Sequence, residues 1–115
     1  MSAPLHNEEH WQWASAKIVA LAKSIISGEV GVVAGARQLS ALRFDVDAEL
    51  DPDFMFFVGL DSETDHLPVG ETRSRWNSEA LHAKDEELAR LEAFTRERAV
   101  QVCRSLIQKY EPSAA

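Results

Sequence analysis

Apolar residues recur at helical spacing towards both ends of the chain and crowd together without a period in its middle. Near the start, Trp11, Ala14, Ile18, Leu21 and Ile25 fall three or four residues apart, and Ala22 and Ile26 widen the stripe. That spacing puts them on one side of an α-helix. Asn7 is a candidate N-cap. Glu8 and Glu9 stand in the first turn, where the partial positive charge of a helix start favours anions. Gly28 suits the position just past the helix end, where φ is often positive.

A second, shorter helix is expected over about residues 29–43, with Val32, Leu39 and Leu42 along one side. Gly31 and Gly35 share a face of it, although each costs a helix about 1 kcal/mol relative to Ala. A close approach of another helix is the expected reason. The membrane reading of G-x-x-x-G needs an apolar 20-mer, which this is not.

The last element predicted is a long helix over residues 78–110, free of Gly and Pro, with Ser78 as N-cap. Its stripe is Leu81, Leu88, Leu91, Thr95, Ala99, Val102, Leu106 and Tyr110, broadened by Phe94, Cys103 and Ile107. Glu86–Arg90 and Glu92–Arg96, four apart, are expected to support its solvent face. Such a helix is about 50 Å long, whereas a compact chain of this size has a radius of gyration of about 13 Å. It must bend, project or pack against a second copy.

Between these elements, residues 44–70 read as irregular, interrupted by Pro52, Gly59, Pro68 and Gly70. Phe54, Met55, Phe56, Phe57, Val58 and Leu60 form an apolar knot there, which favours a loop pinned by its own side chains. A short strand or a 3-10 turn would fit inside it. The expected fold is all-α: a helical hairpin plus a long C-terminal helix packed across it, with an irregular central loop. One domain spans residues 1–115, with 1–6 and 111–115 frayed, and the 45% hydrophobic content supplies a core.

Charge changes the picture most in that central segment. Eight of the 19 acids lie there (Asp45, Asp47, Glu49, Asp51, Asp53, Asp61, Glu63 and Asp65), with no Lys or Arg. The rest of the chain, 11 acids against 12 bases, carries +1, so the net charge of −7 comes from this one segment. An acidic balance argues against direct nucleic-acid binding and suits a basic protein partner. Turn and capping duties for a solvated loop are the plainer explanation, and Asp61, Ser62 and Thr64 are good partners for local backbone.

Metal chemistry fails on spacing. Asp45, Asp47 and Glu49 imitate the start of a calcium loop, but Leu50 and Phe56 stand where Gly and Glu are required. Asp61, Glu63 and Asp65 fail likewise at His66 and Thr72. The H-x-x-E-H string at residues 6–10 reads as polar first-turn residues, and the lone E-x-x-H at Glu79 and His82 lacks the second copy that a di-iron bundle needs. Cys103 beside the apolar stripe reads as a buried structural thiol, not a nucleophile. No catalytic residue, metal site or cofactor is expected. A single cysteine, an N-terminus with neither basic nor apolar signal regions, and no membrane-length apolar run point to the cytoplasm.

Residues 28–110 resemble a family of small uncharacterised bacterial proteins. The likeness is carried by G-E-V-G at 28–31, Q-L-S-A-L-R at 38–43 and, most specifically, F-V-G-L-D-S-E-T-D-H-L-P-V-G at 57–70, then Arg75, Trp76, Lys84 and Asp85. It implies a compact bacterial protein and brings no catalytic residues. In size and charge the chain also resembles immunity proteins of bacterial toxin systems, which bind and neutralise a basic toxin, often a nuclease. On that likeness the candidate partner-binding residues are Asp45, Asp47, Asp51, Asp53, Asp61, Glu63 and Asp65. Trp13 joins them as an apolar anchor, because it lies about 200° around the helix from Trp11 and one of the two must be more exposed. A homo-oligomer built through the long helix is the alternative. A metal-dependent enzyme using the acidic segment is the third reading.

Overall fold

A computed structural model describes residues 8–67 and 76–112. They form α1 (Glu8–Ser27), α2 (Val32–Leu42), a 3-10 turn (Arg43–Val46), α3 (Pro52–Glu63) and α4 (Ser78–Tyr110). No strand occurs among the described residues. The all-α expectation holds, as do the α1–α2 hairpin and the long final helix. The predicted Asn7 cap lies outside the described residues, as do the motif residues from Pro68 to Arg75.

The acidic segment departs from its expected irregularity. It contains the anticipated 3-10 turn, and also a three-turn helix. Asp51 caps α3 by accepting the Asp53 N–H at 2.9 Å. Pro52 follows at the first helical position, where its fixed φ suits a helix and its missing N–H is not needed. Phe54, Phe57 and Leu60, three apart, are buried on the inward face. The apolar knot is therefore this helix's contribution to the core, and Met55 alone of the knot's large side chains is largely exposed. Between the turn and α3, Asp47 adopts φ 53°, a left-handed conformation that Asp tolerates better than most residues.

α1 and α4 share the longest seam, and α2 packs on α3 beside it. Ala14, Ile18, Ala22 and Ile25 of α1 meet Val32, Ala36 and Leu39 of α2, the three α3 anchors, and Ala99, Val102, Cys103 and Leu106 of α4. Burial pushes the Cys103 thiol up to about 12, so it packs as an apolar side chain. All the fully buried positions of α4 lie between Ala99 and Leu106. Its N-terminal half runs out from the body, giving a molecule 57 × 31 × 21 Å across. Phe94, expected on the buried stripe, is 87% exposed. The helix is capped by Asn77, whose side chain accepts the Ala80 N–H at 2.8 Å, and not by Ser78.

The hairpin turn is held from α4. Gly28 has φ +88° at the end of α1, as its position predicted. Arg96 donates to the carbonyls of Ile25 (3.0 Å) and Ile26 (2.7 Å), and Glu92 accepts the N–H groups of Val32 (2.7 Å) and Val33 (3.0 Å). One side chain meets the negative end of α1 and the other the positive end of α2. This corrects the expectation that Glu92 and Arg96 serve the solvent face. It also accounts for Gly31, where a methyl would stand 2.9 Å from Glu92 Oε1.

Gly35 is the close approach anticipated between helices: a methyl there would fall 2.7 Å from Ile25 Cγ1 and closer still to its Cδ1. Ile25 is fully buried and has little room to yield. Gly35→Ala is therefore expected to destabilise by up to about 2 kcal/mol, because overpacking of about 1–3 is only partly offset by the roughly 1 gained in helix propensity. Urea denaturation measures it, and a more stable variant would show that Ile25 moves aside.

Candidate partner-binding surface

The eight acids divide into two groups once the bases of other elements are in place. Asp51 and Asp53, at the start of α3, both meet Lys109 near the end of α4, at 3.0 and 2.7 Å. Ser105 donates a further hydrogen bond of 2.6 Å to Asp53. Asp61 lies 3.3 Å from Arg37 Nε of α2. The same guanidinium donates to the carbonyls of Thr64 and Leu67, closing the C-terminal end of α3. Asp45 lies 2.7 Å from His10 Nε2 of α1. These four carboxylates tie α3 and the 3-10 turn to the helical body.

Asp53 shows the local balance. Burial raises its pKa, but hydrogen bonds from Lys109 and Ser105 outweigh that and hold the carboxyl below its ordinary value. A lowered folded-state pKa adds stability above the unfolded value of 3.8, which is lost as the pH falls through the folded value. Asp53→Asn is thus expected to flatten the acid limb: its melting temperature should fall less than the parent's between about pH 5 and about pH 3. A parallel pair of pH profiles would contradict the assignment.

The other acids point outward. Glu49, Glu63 and Asp65 are exposed and make no ion pair among the described residues. Asp47 is exposed at the left-handed turn. Asp47 and Glu49 precede α3, while Glu63 and Asp65 stand at its far end, roughly 18 Å along a helix of this length. The α3 face between them presents Pro52, Met55, Gly59 and Ser62 to solvent. A side chain at Gly59 would meet nothing within 4 Å, so the fold does not require glycine there. The S-E-T-D stretch is mixed: Asp61 pairs inward, and Thr64 is buried with its hydroxyl donating to the Leu60 carbonyl at 2.6 Å.

Trp13 is 50% exposed, while Trp11 is partly buried in the core, as the angular argument required of one of them. The His10 ring stacks on Trp13 with centroids 5.2 Å apart, and the Lys17 ammonium sits 5.1 Å over its ring. Through His10 and Asp45 this tryptophan adjoins Phe44, which is 55% exposed under the Arg43 guanidinium. Phe44 was not singled out from the sequence. The available signal was an aromatic residue beyond the last apolar position of α2, set between Arg43 and Asp45. Glu49 was counted among the acids but not marked as a contact residue.

No group of three or more His, Cys, Asp or Glu side chains among the described residues is placed to hold a metal ion. His6 and Asn7 of the H-x-x-E-H string lie outside the described residues. No helix among the described residues is long and apolar enough to cross a membrane. Comparison of the chain with protein-family models, curated proteins and solved structures returns no match.

Proposed function

We propose that the chain is a protein-binding inhibitor of the immunity type, which captures a basic toxin domain, such as a nuclease, on the acidic face of α3. The observation that supports this most is the division of charge. After Asp45, Asp51, Asp53 and Asp61 are matched by His10, Lys109 and Arg37, Glu49 before α3, Glu63 in its last turn and Asp65 just beyond it remain outward and, among the described residues, without an ion pair. Fixed carboxylates at both ends of α3 would steer a basic surface and set its register. Trp13 and Phe44 offer aromatic area of the kind that anchors interfaces. The inhibitor acts by occupying the toxin's basic substrate-binding face, and itself performs no catalysis.

Pull-down and calorimetric titration with the product of the adjacent gene test the reading. Binding that weakens steeply with salt is expected. Absence of any toxin-like neighbour, or tight binding indifferent to salt, would count against it.

One observation favours a second reading. Phe94 is 87% exposed on the outer side of α4, and Leu81, Leu88 and Leu91 towards its N-terminal end are only partly covered, as a homo-oligomer through this helix would require. Light scattering separates the two: a monomer at every concentration removes the oligomer.

A further inference from the structure

The side of α4 turned away from the body carries a charge pattern that the fold leaves unused. Ala99, Val102, Cys103 and Leu106 set the inward side of this helix, and Glu92 and Arg96 continue it to the hairpin turn. The opposite side presents Glu86, Arg90, Ala93, Phe94, Glu97 and Arg104, all exposed, at helical spacing. Phe94 is the most exposed of the large apolar side chains among the described residues. Arg90 and Glu97 stand one turn to either side of it, and neither makes an ion pair or hydrogen bond among the described residues. Arg90 leaves Glu86, four residues earlier, to His82 at 3.4 Å. Arg104 is likewise without a partner among the described residues.

This pattern is complementary to itself. A two-fold axis passing between Ala93 and Phe94 sets two antiparallel copies of α4 side by side, with Arg90 of each level with Glu97 of the other. Glu86 then falls within a turn of Arg104 of the second copy. The two Phe94 rings meet at the axis on one side of the seam, and the two small Ala93 side chains on the other let the helices approach. A parallel pair would set Arg90 against Arg90 and Glu97 against Glu97, so charge selects the antiparallel direction. A contact one helix wide and about 30 Å long belongs to the small, transient class, below roughly 1,200 Å² of buried surface.

We propose that two copies of the chain pair antiparallel through the outer side of α4, with Phe94 at the two-fold axis and Arg90–Glu97 ion pairs on either side of it. The inference rests on the oligomer reading and gives it a face and a direction.

Sedimentation equilibrium of the full chain at low salt, from about 10 µM to about 1 mM, is the test, with a dissociation constant on the order of 100 µM expected. Added salt should weaken the dimer, because its ion pairs lie at the surface. Arg90→Glu and Glu97→Arg should each weaken it about tenfold, since one reversal acts twice across the axis. The two reversals combined restore opposite charges at both places and should return the constant to within about threefold of the parent's. Phe94→Ala removes a side chain that the monomer leaves in solvent, so it should weaken the dimer with no loss of melting temperature. A monomer at every concentration would overturn this proposal together with the oligomer reading. A dimer indifferent to the single reversals, or one that the double reversal does not restore, would overturn the antiparallel pairing and leave an oligomer through another face.

Discussion

Phe57→Ala is expected to destabilise the protein by about 3–5 kcal/mol, the range for emptying a fully buried aromatic site. Phe57 has no exposed surface and packs edge-on against Phe56, with centroids 5.0 Å apart and planes at 76°. It lies in the core with Phe54, between the α1–α2 hairpin and α4. A domain of this size has only about 5–15 kcal/mol of stability in total, so the variant should be partly unfolded or melt far below the parent. Equilibrium denaturation in urea gives the value. The size of the loss separates two pictures of residues 44–67. A solvated acidic loop would transmit almost nothing to global stability. A loss under about 1 kcal/mol, the range of ordinary surface changes, would mean that α3 is not part of the cooperative core.

Glu92→Ala should cost about 2–3 kcal/mol. The carboxylate takes two charge-assisted hydrogen bonds, from the N–H groups of Val32 and Val33, sixty and fifty-nine residues away in the chain. Bonds to a charged group contribute about 1.5–3 kcal/mol each, reduced here because the site is only part-buried. Alanine leaves both donors at the start of α2 without an acceptor, and Gly31, beside them, supplies no side-chain cap. Glu92→Gln should recover part of the loss, since its single oxygen can accept from one donor. A surface pair between Glu92 and Arg96 would be worth only about 0.3–0.5 kcal/mol. Thermal and urea denaturation of the two variants decide the matter: a loss below 0.5 kcal/mol for Glu92→Ala, on that same scale, would return Glu92 to the solvent face.

These residues show what could be read from the chain and what could not. The two long helices were legible because their apolar positions repeat every three or four residues, and the end of α1 was marked by Gly28. α3 was missed because Phe54 to Val58 is apolar on every side and so carries no period, and because Gly59 looked like a break. Its start was written in Asp51-Pro52-Asp53, a cap followed by a helix-initiating proline, but that signal was read as loop punctuation. The internal ion pairs were hidden for a different reason. Asp51 and Lys109 are 58 residues apart, Asp53 and Ser105 are 52 apart, and nothing local links them. Counting charges showed where the acids cluster. Only packing shows which of them the fold neutralises. Phe94 was misplaced because helical spacing marks a stripe without saying how much of it the body is long enough to cover.

The proposed division of carboxylates is tested most directly by measuring melting temperature and partner affinity on three variants. The first neutralises the three inward acids of α3 and its cap, Asp51→Asn with Asp53→Asn and Asp61→Asn. The second reverses the outward ones, Glu49→Lys with Glu63→Lys and Asp65→Lys. The third is a control for net charge away from α3, Glu29→Lys with Glu79→Lys and Glu97→Lys. The expected result is a lowered melting temperature for the first variant alone, and a loss of affinity for the adjacent gene product of tenfold or more, about 1.4 kcal/mol, in the second but not the third. Full affinity in the second variant, or an equal loss in the second and third, would contradict the binding role given to the outward face of α3.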